Sequence, residues 1–189
     1  MRSARPCTRA EPLPIRKAHG FALIDLIFTC GLIGVLCSIA MPRLFLAKQS
    51  AASASAVASM RMINSSQLTY ALTCGAGFYA PTMTTLGTPP PGSRESFIST
   101  DLGTSDTITK SGYIIQMKAV PYPGSPGSCN GLGVGRAGQG FIAAADPVEI
   151  SNPRFFGTNA SNIVYEHIST LYAVMPESGA PPVGQMAVR

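Results

Sequence analysis

From Phe21 to Met41 the chain runs twenty-one residues with a single charge, Asp25. At about 1.5 Å of rise per residue, a helix of that length matches the roughly 30 Å hydrocarbon core of a bilayer. The run therefore predicts one membrane-spanning helix, and the remainder of the chain has to be arranged around it. An ionised carboxylate in hydrocarbon costs on the order of 2.5 to 3.5 kcal/mol on insertion scales, so Asp25 needs a partner. It lies one helical turn from the start of the run, close in height to the amine that a cut between Gly20 and Phe21 would create. Two such helices packed with an axial offset would set the amine of one against Asp25 of the other.

Charge is distributed unevenly about this run. Arg2, Arg5, Arg9, Arg16 and Lys17 against Glu11 put the first twenty residues at +4, so nine basic and eight acidic residues follow, a net +1. Positive residues gather on the cytoplasmic side of a span, and just beyond it only Arg43 and Lys48 are basic. The leader is expected inside, with the C-terminal body exported into an oxidising space. A nearly neutral body carries no bulk electrostatic footprint for nucleic acid, and binding to it stays open.

The basic leader ending in Gly20, then Phe21, then an acid at the fifth position past Gly20, resembles the class III signal of type IV pilins and type II secretion pseudopilins. Gly34 and Pro42, fourteenth and twenty-second from Gly20, belong to the same resemblance, which covers Arg16 to Leu46 and fades beyond it. Pilins usually carry Glu where this chain has Asp25, one methylene shorter. The resemblance implies cleavage after Gly20 by a prepilin peptidase, N-methylation of Phe21, an assembly role for Asp25, and helix flexibility at Gly34 and Pro42. It also implies partners: identical or related pilin subunits, the peptidase, inner-membrane assembly machinery, and membrane lipid before assembly. The implied fold is α+β, a long N-terminal helix laid on a small antiparallel sheet.

Other readings of the same run fit less of it. A Sec signal would need its cleavage site at Ala52-Ser53-Ala54 or Ala54-Ser55-Ala56, more than ten residues past the apolar core. A lipoprotein signal wants a small residue before its cysteine, but Cys30 follows Ile27-Phe28-Thr29 and Cys37 follows Gly34-Val35-Leu36. The rival of a different class is an uncleaved anchor that tethers a periplasmic binding module.

Four segments organise the chain. Leader residues 1–20 and the span 21–41 precede a domain expected over 42–175, with 176–189 as a loose, Pro- and Gly-bearing tail. The domain opens with an amphipathic helix from about Pro42 to Leu72, ending near Gly75 and Gly77. Phe45, Ala52, Ala56, Met60, Ile63 and Tyr70 form its apolar stripe, flanked by Gln49 and Gln67; Arg43, Ser50, Arg61 and Ser65 lie opposite. Pro42 removes a helical hydrogen bond and predicts a kink. Residues 78–96, with Pro81 and the Pro89-Pro90-Pro91 run, read as irregular connection. Strands are expected at 113–120, 141–146, 154–157 and 162–165, the last two facing across 158–161, with a glycine-dense turn region over 124–140.

Cys7 lies in the leader, Cys30 and Cys37 in the span, and only Cys74 and Cys129 in the exported part. Two cysteines in an oxidising compartment predict a disulfide. No CxxC occurs and His19 and His167 are far apart, so a metal site is not expected. Gly133-Val134-Gly135-Arg136-Ala137-Gly138 satisfies GxGxxG by letter, but neither a clear strand precedes it nor a helical pattern follows. His167, Ser169 and Asp146 carry the residue types of a triad without a nucleophile-elbow sequence. Asn64-Ser65-Ser66 and Asn159-Ala160-Ser161 match a glycosylation acceptor. None of these patterns proposes an active site or a cofactor, so the chain is expected to be a structural protein rather than an enzyme.

Overall fold

The computed structural model describes residues 23–182 and the backbone of 186–187. The chain divides into two units, Met1–Leu44 and Phe45–Arg189. One helix, α1, Leu23–Thr73, supplies the described part of the first unit and opens the second. Two short helices follow, α2 at Met83–Gly87 and α3 at Thr100–Gly103. Strands β1 Thr107–Lys110, β2 Tyr113–Lys118, β3 Ile142–Pro147, β4 Phe155–Asn159 and β5 Val164–His167 then pair in chain order, with a two-residue β6, Met186–Ala187, at the end. Every pairing is antiparallel. The class is α+β.

The stripe on α1 buries as its spacing requires. Ala56, Met60, Ile63 and Tyr70 are buried against Tyr113, Ile115 and Met117 of β2, Ala143 and Ala145 of β3, and Phe156 of β4. Alternation along β2, with Tyr113, Ile115 and Met117 in, places these three on one face of the sheet. Arg43, Ser50, Arg61 and Ser65 are exposed, but so is Phe45, which the stripe had assigned to the buried side. The helix also buries Gln67, which flanks the stripe, and polar residues that the apolar pattern did not mark: Ser53, Ser59, Asn64 and Ser66. Gln67 is fully buried; its Nε2 donates to Ala80 O at 2.8 Å and its Oε1 accepts from Ala80 N–H at 2.9 Å. One amide side chain thus stands in for a strand neighbour and fixes the chain leaving the helix.

That connection is more ordered than its prolines suggest. Met83 and Leu86 of α2 and Leu102 of α3 are buried in the same core. The two helices meet where both residues are glycine: a Cβ on Gly103 would stand 2.7 Å from Gly87 Cα. Strand β1 was not foreseen either. It turns back into β2 through Ser111 and Gly112, whose φ values of 51° and 80° make the two-residue hairpin turn that suits strand twist.

The second face of the sheet carries its own cluster, Ile142, Tyr165, Leu171 and Met175. Leu171 and Met175 come from the segment after β5 and press on Gly157, where a Cβ would lie 2.9 Å from Leu171 Cβ and 2.8 Å from Met175 Cε. Residues placed by sequence in the tail are also held. Asn159 Nδ2 donates to Pro176 O at 3.0 Å and Gly179 O at 2.7 Å, and Ala160 N–H donates to Glu177 O at 3.0 Å.

Candidate functional site

The described part of the first unit is all surface. Residues 23–44 of α1 are exposed without exception, although Leu23, Ile24, Leu26, Ile27, Phe28, Leu32, Ile33 and their successors are apolar. The segment is long and apolar enough to cross a membrane. Its two hydroxyl side chains are satisfied within the helix: Thr29 Oγ1 donates to Leu26 O at 3.0 Å and Ser38 Oγ donates to Gly34 O at 2.8 Å. Such internal bonding removes the need for water at these two hydroxyls. Cys30 and Cys37 are free thiols on its surface.

Asp25 sits in the first described turn of α1. Among the described residues it joins neither ion pair, which are Lys110–Asp101 and Arg154–Glu166. Gly20 and Phe21 lie outside the described residues. Gly34 is helical, and a Cβ there would meet nothing within 4 Å. Pro42 lies inside α1, and the helix assignment continues through it rather than stopping.

Cys74 and Cys129 are disulfide-bonded, with Cα atoms 4.9 Å apart. The bridge joins the end of α1 to the loop after β2. Cys129 N–H also donates to Cys74 O at 3.2 Å, so the two segments are held by backbone as well as sulfur.

The letter-level motifs resolve into structural roles. Gly138, the last glycine of the GxGxxG segment, pairs with Tyr79 through N–H to O bonds of 3.0 and 2.8 Å, and no helix opens after it. His167 Nδ1 contacts Ser169 Oγ at 2.9 Å, but Asp146 lies on β3, two strands away from β5, and its Oδ2 accepts from Thr170 Oγ1 at 2.7 Å. The three residues form no relay. Burial pushes the Asp146 carboxyl above the ordinary carboxylate range, with the Thr170 bond opposing it; Oδ1 is buried without a partner among the described residues. Asn64 is buried with Oδ1 accepting from Thr158 Oγ1 at 2.9 Å, and Asn159 is wholly buried with its amide already used. Neither amide is available in the folded chain as a glycan acceptor. Among the described residues no group of three or more His, Cys, Asp or Glu side chains could hold a metal ion.

The feature with functional reach is therefore the uncovered apolar helix with one acid near its start, joined to a disulfide-closed α+β domain. No protein-family model matches the chain, and comparisons with curated proteins and with solved structures find no match.

Proposed function

We propose that the chain is a prepilin, the precursor of a structural subunit of a type IV pilus or a related secretion pseudopilus. The observation that most supports this reading is the exposure of every residue from Leu23 to Leu46 on a helix this apolar. Nothing among the described residues covers that surface, which suits it to lipid or to other copies. Before assembly the bilayer does so, with the leader cytoplasmic and the domain in the periplasm. A prepilin peptidase then cuts after Gly20, and Phe21 receives a methyl on its new amine. Extraction into a filament exchanges lipid for neighbouring helices, and the Phe21 amine of one subunit meets Asp25 of another where a lone charge would be costly. Head-to-tail contacts of this kind do not close, and a helical filament results. No catalytic step and no cofactor enter this role.

Mass spectrometry of the exported protein tests the reading. The expected terminus is Phe21 carrying one added methyl. A terminus at Ser55 or Val57 would replace it with a Sec-secreted protein, and an intact leader on a monomer would replace it with the tethered binding module.

A further inference from the structure

A cavity of about 460 Å³ opens beside the first helical turns of the domain. Three segments wall it: helix residues Phe45 to Ala52, the Ser111–Gly112 turn, and the loop carrying Glu149 and Asn152. The walls are tied together. Ser55 Oγ donates to Ser111 Oγ at 2.9 Å, and Val148 N–H donates to Gly112 O at 2.9 Å. Asn152 Nδ2 donates to Tyr113 Oη at 2.9 Å, and that oxygen also meets Ser53 Oγ at 3.0 Å. A cavity fixed on three sides is ready before an occupant arrives, which lowers the ordering cost of binding.

Its charges are opposite and separate. Lys48 and Glu149 both line it, and neither joins the two ion pairs among the described residues. Exposed apolar side chains flank each: Phe45 and Leu46 just before Lys48, and Val148 and Ile150 on either side of Glu149. A cation and a carboxylate in one recess, rimmed by grease, complement a ligand that is zwitterionic at one end and apolar at the other.

We propose that this cavity seats the headgroup of a phosphoethanolamine lipid, Lys48 meeting the phosphate and Glu149 the ammonium, with Phe45, Val148 and Ile150 entering the acyl boundary. A phosphocholine headgroup has the same charges, but its quaternary nitrogen has no N–H to donate to Glu149. A phosphoglycerol headgroup sets an unbalanced negative charge beside that carboxylate. Arg43 and Lys48 are exposed two and seven residues past the 21–41 span, so by helical rise they stand about 3 and 10 Å beyond the hydrocarbon, on the headgroup side. The proposal rests on the membrane-inserted state of the precursor and needs no filament.

The test is native mass spectrometry of the full chain in detergent micelles with equal amounts of phosphatidylethanolamine, phosphatidylcholine and phosphatidylglycerol bearing the same acyl chains. One phosphatidylethanolamine per chain is expected, retained at least fivefold over the other two. Lys48→Gln and Glu149→Gln should each erase the preference while the Cys74–Cys129 cross-link survives, and Lys48→Arg should keep it. Equal retention of the three lipids, a preference for phosphatidylglycerol, or a preference that survives both neutral variants would overturn the proposal. Displacement of the lipid by an equal concentration of free phosphoethanolamine would overturn it too, by placing the specificity in a soluble ligand. Flotation with phosphatidylcholine vesicles separates the two readings: a chain that floats but shows no headgroup preference ends this inference alone, and one that does not float ends both.

Discussion

Gln67 and Asp25 are both polar residues in the midst of apolar ones, and the chain treats them in opposite ways. Gln67 is enclosed, and both ends of its amide are answered by the backbone of Ala80, itself fully buried. Removing it in Gln67→Ala leaves an N–H and a C=O unpaired in the core. Unfolding free energy should fall by on the order of 3 kcal/mol, measured by denaturant unfolding followed by circular dichroism. Gln67→Glu keeps the acceptor but turns an oxygen toward Ala80 O, and should not restore stability. Asp25 has no such answer among the described residues. Asp25→Ala removes the insertion cost, so membrane retention should hold and cleavage after Gly20 should persist, while incorporation into sheared filaments should drop at least tenfold by immunoblot. Asp25→Glu, which supplies the length usual in pilins, should assemble at least as well as the natural chain. Normal incorporation of Asp25→Ala would rule out the pairing with the Phe21 amine.

Among the elements, the disulfide has the clearest energetic signature. It joins residues separated by 55 positions, and closing a loop of that size removes unfolded-state entropy equivalent to roughly 4 kcal/mol. Non-reducing peptide mapping should recover the Cys74–Cys129 cross-link, and Cys74→Ser with Cys129→Ser should lower the melting temperature markedly without abolishing the sheet. Recovery of both thiols by alkylation of native protein would reject the bridge. Strands β2 to β5 were legible because each is a short apolar or β-branched run bounded by Pro, Gly or Asn. Strand β1 was not, since Thr107-Ile108-Thr109-Lys110 is short and half polar; its place is set by the Ser111–Gly112 turn and by pairing with β2. Helices α2 and α3 were hidden for a related reason. Five and four residues give no helical period, and their order comes from Met83, Leu86 and Leu102 finding the core.

At the scale of the whole molecule, what sequence reveals depends on whether a feature is continuous along the chain. The apolar run, its acid and the helix end before Gly75 each occupy one stretch, and reading that stretch was enough. The buried polar face of α1 was only partly legible: Gln67 stands beside the apolar stripe, whereas hydropathy gives Ser53 and Asn64 no mark, and Tyr113 Oη, Thr158 Oγ1 and the Ala80 backbone draw the three in. The lipid-facing cavity was invisible for a simpler reason: its walls lie at 45–52, 111–112 and 149–152 and meet only in the folded domain.

The order of the sheet has a consequence in time. Strands β1 to β5 pair strictly with their predecessors, so a chain delivered from its N-terminus always offers each new strand a neighbour that has already emerged. The α1 face comes out earlier still and can receive β2 as soon as it appears. Other unions must wait for distant sequence, among them Tyr79 for Gly138, Asn64 for Thr158, Cys74 for Cys129, and the second face of the sheet for Leu171 and Met175. Until that last segment arrives, Ile142 and Tyr165 stand uncovered, so the interval before its delivery is when the nascent chain is most exposed to misassociation and proteolysis.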